Sequence, residues 1–448
     1  MKKNYLYRSL LLTILVVVLV IIAHFIPPIQ IGEFTLKKVD FLSDIRKPKE
    51  AQISLAESNE IEMTKFSGNI EKDSCDTYVT CIKDFSDDFS SMRRFYSLLD
   101  SIYLLNRPVR IAFFGDSFIE SDIITADIRE QLQAIYGGCG VGYMPLTSVA
   151  PGYRKSILHT FQNFTTNSLV KNQSGIGISG YGFRAEENAQ VSYQGVNYKK
   201  GLSDFSVVRV LYEGSPTIFS SYNINRKRVI PFNLNHQPGI RQALIEHDSI
   251  HTVSFSFSPD MLIYGIYLDC NRGIAVDNFA VRGHSGMNLT NVSEEIYRKT
   301  NELIPYDLII LQYGLNVSGA NTSNYEQYRR RMMENIAHMK SAFPHTDFIL
   351  MSVGDRDMKS NNDYVTMPGI FNLIPVQEEI AADSQIAFWS TFQAMGGEAS
   401  MKDFVSSQPP LGAKDYTHLT HEGGKVIATE FVKALLYGKR QFDKQNRR

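Results

Sequence analysis

The stretch RIAFFGDSFIESD, Arg110–Asp122, combines a buried strand with reactive side chains. Its apolar first half has the composition of a strand that is covered on both faces. The run ends in Gly115, Asp116 and Ser117, and the helical pattern IITADIREQLQAIYGG follows. A glycine, an acid and a hydroxyl suit a reactive site better than a core. The stretch therefore predicts an α/β fold with a functional serine at the carboxyl end of a strand.

The same alternation of strand and helix patterns returns late in the chain. YDLIILQYG, DFILMSVGD and QIAFWST have the apolar character of buried strands, and NYEQYRRRMMENIAHMKSAF, IPVQEEIAAD and EGGKVIATEFVKALLYG have helical spacing. A further helix is predicted in DFSSMRRFYSLLDSIYLL, before the first strand. Strands that alternate with helices predict a parallel sheet covered by helices on both faces.

The segment over residues 151–270 has a different pattern. SVVRVLYEG, TIFSSYNI and HTVSFSFSP are short, β-branched and aromatic, with turn residues between them. They predict a β-sandwich inserted into the α/β domain, which is then discontinuous over 86–150 and 271–448. Exposed tyrosine and asparagine residues would suit sugar binding, so the insert is a candidate carbohydrate-binding domain. The alternative is a packing or spacer domain.

The N-terminus carries a targeting pattern. The basic segment MKKNYLYR precedes Ser9–Ile26, which has no formal charge and ends at Pro27. This run is long enough to cross a bilayer, and no small-x-small cleavage pattern follows it, so we predict an uncleaved signal anchor over 1–27 rather than a cleaved signal peptide. The positive flank favours a cytoplasmic N-terminus and an exported body. Polar residues 28–85 are predicted to form a stalk or spacer.

Composition excludes some partners. The 448 residues contain 46 Lys and Arg against 47 Asp and Glu, for a net charge of −1 and without a dense basic stripe, which argues against nucleic acid. The four cysteines fit an exported protein with one or two disulfides. Cys75 and Cys81 could pair, or all four cysteines could be buried apolar residues. No C-x-x-C or H-E-x-x-H motif is present, so no metal site is predicted.

The far end of the chain supplies partners for the serine. KDYTHLTHEGG places Asp415 three residues before His418, just ahead of the last predicted helix. At this spacing the carboxylate can accept a hydrogen bond from the imidazole, which leaves the other ring nitrogen free to take a proton from Ser117. The three side chains predict a nucleophile, a base and a residue that orients the base. Alone, Ser117 would be a helix cap.

Two other segments supply candidates for an oxyanion hole. LQYGLN ends a strand, and the amide of its Asn316 can donate to an oxyanion. VRGHSGMN supplies Gly283 and Gly286 in a loop where a backbone N–H can approach a substrate. The alternative is that these residues only form turns and caps.

These segments, in this order, resemble the four blocks of SGNH (GDSL-like) hydrolases. The resemblance covers residues 85–150 and 270–440, and implies Ser117, Asp415 and His418 as the catalytic triad. It implies an oxyanion hole from Ser117, Gly286 and Asn316, with Gly286 favoured over Gly283 by its last place in RGHSG. GDSFIESDIITADIREQLQ and GGCGVGYMPL are similar to anchored bacterial peptidoglycan O-acetylesterases. That likeness implies a periplasmic body, an acetylated polysaccharide substrate and no cofactor.

Three functions stay open from the sequence. The first is a serine esterase that removes O-acetyl groups from a cell-envelope polysaccharide, with peptidoglycan as the expected substrate. The second is an O-acyltransferase that uses the same triad and receives acyl groups from a membrane-bound partner. The third is a catalytically silent glycan-binding protein. His284 and His421 are additional candidates for substrate contact.

Overall fold

The computed structural model describes residues 10–15, 30–31, 34–35, 74–76, 79–87 and 90–446. The chain divides into two compact units, Met1–Asn69 and Ile70–Arg448. In the first unit residues 10–15 are helical, and Gln30–Ile31 pairs with Phe34–Thr35 in an antiparallel bridge. Among the described residues, no helix combines the length and the apolar character that crossing a membrane requires. Apart from residues 10–15, the predicted anchor over 1–27 lies outside the described residues.

The second unit is built around a sheet whose strands come from both halves of the sequence. From one edge to the other, the strands are Ile274–Ala280, Val109–Gly115, Leu308–Gln312, Asp347–Met351, Ala387–Trp389 and Ile82–Asp84. All neighbours are parallel except the last pair, which is antiparallel. Every residue of Val109–Gly115 is buried, so this strand is covered on both faces as its apolar run predicts.

Five helices of the described part of the chain lie where helical spacing predicts them, whereas Glu294–Leu303, Thr391–Met395 and Ser400–Ser406 were not predicted. In chain order, the helices of the second unit are Arg93–Asp100, Thr125–Tyr136, Glu294–Leu303, Glu326–Ala342, Pro368–Asp383, Thr391–Met395, Ser400–Ser406 and His421–Asn446. Pro368–Asp383 begins well before the predicted IPVQEEIAAD segment and contains Pro375, and His421–Asn446 continues past the predicted end at Gly438. A two-stranded antiparallel hairpin, Asp357–Ser360 with Asp363–Thr366, precedes that helix.

The end of the predicted spacer belongs to the main sheet. Ile82–Asp84 pairs with Ala387–Trp389, and Thr80 accepts a hydrogen bond at 3.2 Å from the indole Nε1 of Trp389. The spacer prediction over 28–85 is therefore wrong for these last residues. Short polar strands at a sheet edge need few apolar residues, so their pairing with a distant strand leaves little trace in the sequence. Residues 36–73 of the predicted spacer lie outside the described residues.

The inserted segment is all-β, as predicted, but its strands form one sheet. They are Gly142–Met144, Ile157–Ser168, Tyr181–Gly195, Phe205–Gly214, Ser220–Ile224, Ile230–Phe232, Gly239–Ile250, Thr252–Phe257 and Leu262–Asp269. A sandwich predicts two separate sheets. Here the long strand Tyr181–Gly195 pairs with Leu262–Asp269 near its start and with Thr252–Phe257 near its end, which joins both halves of the insert.

The insert shares its packing with the α/β domain. Leu211, Tyr264 and Tyr267 of the insert are buried in the same apolar cluster as the main sheet. At the junction, the guanidinium of Arg110 contacts Asp269 at 2.6 Å and Asp277 at 2.8 Å, and all three side chains are buried. Removing one member of such a group would leave an uncompensated buried charge. The insert is therefore an integral part of this unit.

A disulfide also lies at the junction. Cys139 is bonded to Cys270 across 131 residues of sequence, so the prediction that all four cysteines are buried apolar residues is wrong. Cys81 is disulfide-bonded as well. The side chain of Cys75, its predicted partner, lies outside the described residues.

Candidate active site

Strand register brings three of the predicted blocks together. Gly115 is aligned with Ala280 on one side and with Gln312 on the other, so three parallel strands end side by side. The loops that follow carry Ser117, the two candidate glycines and Asn316. Gly115 is required by close packing, because a Cβ atom there would lie 2.8 Å from the carbonyl oxygen of Gln312. The serine loop therefore begins where the two strands are in close contact, at the carboxyl end of the sheet.

The predicted triad is assembled. The Oγ of Ser117 lies 2.9 Å from Nε2 of His418, and Nδ1 of His418 lies 2.7 Å from Oδ2 of Asp415. The serine comes from the strand-to-helix turn, whereas the histidine and aspartate come from the loop before the last helix. This geometry lets Nε2 receive the serine proton while Asp415 holds the opposite side of the ring.

Asp415 is held by the turn that it begins. Its Oδ1 accepts hydrogen bonds from the backbone N–H groups of Thr417 and His418, each at 3.0 Å. Partial burial would raise the pKa of Asp415, but the hydrogen bonds from His418 and Thr417 outweigh burial and hold the pKa below its ordinary value. The side chain therefore stays ionised and accepts from the imidazole at neutral pH.

Asp122 ties the serine loop to the insert. Ser121 and Asp122 adopt left-handed φ angles of 58° and 63°, which are uncommon for residues other than glycine. The buried Asp122 carboxylate contacts Arg129 at 3.1 Å and Arg154 at 2.8 Å, and accepts from Ser156 at 2.8 Å. Although burial would raise the pKa of Asp122, the two guanidinium groups hold it well below its ordinary value.

The loop after Ile274–Ala280 carries both glycines that are candidates for the oxyanion hole. The N–H of the buried Gly286 donates to Nδ1 of His284 at 3.2 Å, and a Cβ at Gly286 would lie 2.8 Å from the ring of Tyr313. Gly286 is therefore closely packed, and its place in the oxyanion hole stays a prediction. Gly283, the alternative donor, is exposed and has open space around its Cβ position. Within residues 90–446, the N–H groups of Gly283 and Ser117 have no protein acceptor.

Asn316 lies beside the serine loop, as predicted. Its Nδ2 donates to Oδ2 of Asp116 and to the carbonyl oxygen of His284, each at 3.0 Å. Asp116 is completely buried, and its role was not predicted from the sequence. Burial raises the pKa of Asp116 to about 6, although hydrogen bonds from Phe118 and Asn316 and the charge of His418 oppose this rise.

We expect Asn316→Ala to lower kcat for an ester substrate by roughly 10²–10³-fold, the usual cost of losing one oxyanion donor. Its amide would stabilise negative charge that develops only in the transition state, so KM should change little. Steady-state kinetics on an aryl acetate would separate the two constants. A change in KM alone would mean that Asn316 binds the ground state of the substrate instead.

The two additional histidines are largely enclosed. The ring of His284 is buried against Tyr313, with 5.6 Å between ring centroids, and burial lowers its pKa to about 4. The ring is therefore neutral and largely enclosed by protein, and substrate contact by His284 stays a prediction. His421 begins the last helix and packs against Tyr153 at 5.1 Å between centroids. Substrate contact by His421 stays a prediction.

A cavity opens beside the serine loop. Its volume is about 430 Å³, within the range of small-molecule sites. Glu120 and Arg282 line it from the α/β domain, and Val149, Lys171 and Tyr181 line it from the insert. The arrangement provides hydroxyl groups, charges and an aromatic face beside Glu120 and Ser121 of the serine loop. Among the described residues, no group of three or more His, Cys, Asp or Glu side chains could hold a metal ion.

A Ser–His–Asp hydrogen-bonded set at the carboxyl ends of a parallel sheet is the arrangement that serine hydrolases use. A solved structure described as "Peptidoglycan O-acetylesterase in action, 5 min" has a TM-score of 0.68 and 18% sequence identity, over 80% of this chain and 99% of the other. This likeness confirms the predicted α/β fold.

Two other solved structures are less similar to this chain. The acetylxylan esterase Axe2 from Geobacillus stearothermophilus is 18% identical over 36% of this chain and 72% of its own, with a TM-score of 0.27. A family two carbohydrate esterase from Cellvibrio japonicus is 8% identical over 64% of this chain and 98% of its own, with a TM-score of 0.28. No family model and no curated protein sequence matches the chain.

Proposed function

We propose that this protein is a serine esterase that removes O-acetyl groups from a cell-envelope polysaccharide, with peptidoglycan as the first candidate. The observation that carries this proposal is the hydrogen-bonded chain from Ser117 through His418 to Asp415. It is supported by a fold shared with a peptidoglycan O-acetylesterase along four-fifths of the sequence.

In the proposed mechanism, His418 takes the Ser117 proton as Oγ attacks the acetyl carbonyl carbon. The resulting oxyanion accepts from the N–H groups of Ser117 and Gly283 and from the Asn316 amide. When the tetrahedral intermediate collapses, His418 protonates the departing sugar oxygen and acetyl-Ser117 remains. Water that gives a proton to His418 then attacks the acyl group, which releases acetate and restores the serine.

Hydrolysis is favoured over acyl transfer because the catalytic pair is open to water. The side chains of His418 and Asp415 are 37% and 52% exposed. An O-acyltransferase would need to keep water from the acyl-enzyme while a sugar hydroxyl attacks. A catalytically silent glycan-binding protein would have no need for the assembled triad.

The proposal is tested by acetate release from the chain beginning at Pro28. O-acetylated peptidoglycan and other acetylated glycans would be compared, each with and without a de-acetylated sugar acceptor. Acetate release that is independent of the acceptor supports the esterase. Transfer to the acceptor without matching acetate release would favour the acyltransferase. Failure of every ester to react, together with failure of a fluorophosphonate to label Ser117, would refute both enzymatic functions.

The cavity supports a role of the insert in glycan binding. Tyr181 provides an aromatic side chain and a hydroxyl, and Glu120 provides a carboxylate that can accept from sugar hydroxyls. We propose that the cavity holds a part of the polysaccharide next to the acetylated sugar. Deleting the insert cannot test this idea, because Leu211, Tyr264 and Tyr267 belong to the shared core.

Point substitutions test the cavity directly. Val149 lines the cavity and is 82% exposed, and Val149→Trp is expected to obstruct it. We expect kcat/KM on polymeric substrate to fall about tenfold, equal to about 1.4 kcal/mol, with little change on a small aryl acetate. Val229→Trp is the matched control, because Val229 is 67% exposed in the insert but lies outside this cavity. Equal effects of the two substitutions would argue against a glycan site in the cavity.

We also propose that the N-terminal segment anchors the protein in the inner membrane with its body in the periplasm. The basic flank and the uncharged run Ser9–Ile26 support this location. The Cys139–Cys270 disulfide adds support, because structural disulfides are typical of oxidising compartments. Fractionation of cells that express the full chain would test the anchor. Recovery of the intact chain in the soluble fraction would contradict it.

A further inference from the structure

Asp116 lies directly behind the reacting groups, but it belongs neither to the triad nor to the oxyanion donors. It stands between the strand-ending Gly115 and the nucleophile Ser117, with none of its surface exposed. Its Oδ1 accepts from the backbone N–H of Phe118 at 2.9 Å, and its Oδ2 accepts from Nδ2 of Asn316 at 3.0 Å. The carboxylate therefore reaches the substrate only through the Asn316 amide.

Burying a carboxylate at this position is costly. The groups that face it are His418, Tyr313 and Tyr328. Burial raises the pKa of both phenols, so they stay neutral and bring no compensating charge. No arginine or lysine is hydrogen-bonded to Asp116 in the part of the chain from residue 90 to 446. A buried acid without a cationic hydrogen-bond partner is a site where function can explain the cost.

The negative charge of Asp116 fixes the orientation of the Asn316 side-chain amide. An Asn side chain can turn by half a rotation and exchange its donor NH₂ for its acceptor oxygen. An ionised carboxylate only accepts hydrogen bonds, so it fixes the NH₂ group of Asn316 towards itself. A protonated Asp116 could instead donate to the amide oxygen. That reversed amide would turn its oxygen, rather than its N–H groups, towards the developing oxyanion.

The second N–H of Asn316 is the one available for catalysis. It donates to the carbonyl oxygen of His284 at 3.0 Å, which is a neutral acceptor. A developing oxyanion is charged and competes for this N–H more strongly than a peptide carbonyl does. The bond to Asp116 is already charge-assisted, so it holds the amide in place while the other N–H changes its acceptor.

We propose that Asp116 is a positioning residue, whose ionised carboxylate keeps the Asn316 amide in the orientation that donates to the oxyanion. This inference rests on the proposed esterase chemistry and adds a proton-dependent control of its oxyanion hole. Because burial raises the pKa of Asp116 to about 6, its contribution is present above this pH and is lost as the pH falls through about 6. The acid side of the rate profile therefore includes the loss of this contribution.

The test is a double-mutant cycle between Asp116→Asn and Asn316→Ala. We would measure kcat and KM on an aryl acetate and the labelling rate of Ser117 by a fluorophosphonate, from pH 4.5 to 8.5. Asp116→Asn should lower kcat at pH 8 by about 10- to 100-fold, with KM nearly unchanged, which is less than removing the donor itself. In the Asn316→Ala background, the same substitution should change kcat by less than about threefold.

The pH profile separates positioning from a structural role. The wild-type acid limb should be steeper than that of Asn316→Ala, in which the charge of Asp116 no longer acts through the amide. Asp347→Asn is the matched control. Burial raises the pKa of Asp347 to about 7, and its carboxylate accepts from the N–H of Phe95 at 2.7 Å. Asp347 is the first residue of its strand, so it lies at the amino ends of the strands, away from Ser117. Its substitution should leave the profile unchanged.

Several results would overturn the inference. Equal losses from Asp116→Asn with and without Asn316 would show that the two residues act independently. Identical acid limbs in the wild type and Asn316→Ala would also show that Asp116 does not act through Asn316, and this comparison does not need the Asp116→Asn protein to fold. The labelling rate of Ser117 could show the expected coupling between Asp116→Asn and Asn316→Ala in a protein that releases no acetate from any glycan. That result would support the positioning role of Asp116 and refute the proposed substrate. A wild type that reacts with neither probe would refute both proposals.

Discussion

Replacement of Ser117 by alanine is expected to lower kcat by about 10⁶-fold, the size of effect seen when a serine hydrolase loses its nucleophile. Only a hydroxyl is removed, and its Oγ is hydrogen-bonded to Nε2 of His418 at the partly open mouth of the site. The fold should therefore persist. Acetate release, fluorophosphonate labelling and the unfolding temperature would together test this expectation.

Ser101→Ala is a suitable control for that experiment. The Ser101 hydroxyl donates to carbonyl oxygens of its own helix, so its loss leaves the reacting groups untouched. Labelling should disappear in the Ser117 variant and stay complete in the control. Covalent labelling of the Ser117→Ala protein at the wild-type rate would place the nucleophile at another residue.

Replacement of Asp415 by asparagine is expected to have the second-largest effect, between about 10²- and 10⁴-fold in kcat. The new oxygen can keep the bonds from the N–H groups of Thr417 and His418, so the turn should survive. The new NH₂ group would face Nδ1 of His418 and favour the tautomer with the proton on Nε2. That tautomer cannot accept the serine proton. The upper value applies to a buried aspartate, and Asp415 is 52% exposed.

Steady-state kinetics and fluorophosphonate labelling across pH would measure the Asp415→Asn effect. Asp363→Asn is the control, because Asp363 is also exposed and paired, with Lys402 at 2.6 Å, but lies on the Asp357–Thr366 hairpin. Activity within tenfold of wild type in Asp415→Asn would mean that His418 is oriented by other groups.

The triad could be predicted because its information is local. Ser117 follows an apolar run directly, and Asp415 and His418 lie within a single turn, so short segments indicate their roles. The predicted buried strand QIAFWST is also recognised locally, and its Trp389 is fully buried. The apolar strands Val109–Gly115 and Leu308–Gln312 likewise carry their own pattern of burial.

The remaining features depend on contacts between distant residues. Gly283 and Gly286 both adopt positive φ, and only packing against Tyr313 distinguishes the buried glycine from the open one. Asp116 acquires its role from Asn316, which is 200 residues away in sequence. The single sheet of the insert depends on one long strand, Tyr181–Gly195, that pairs with three other strands. No local pattern contains such information.

The central position of Val109–Gly115 has a consequence for synthesis of the chain. This strand pairs with Ile274–Ala280 on one side and with Leu308–Gln312 on the other, so neither neighbour exists when the strand leaves the ribosome. The whole insert must emerge before the nucleophile's strand can be enclosed. Such long-range pairing slows folding and leaves an apolar strand exposed to aggregation. A nascent chain stopped before residue 274 should therefore be sensitive to protease and bind chaperones, whereas one extended beyond Gln312 should begin to gain protection.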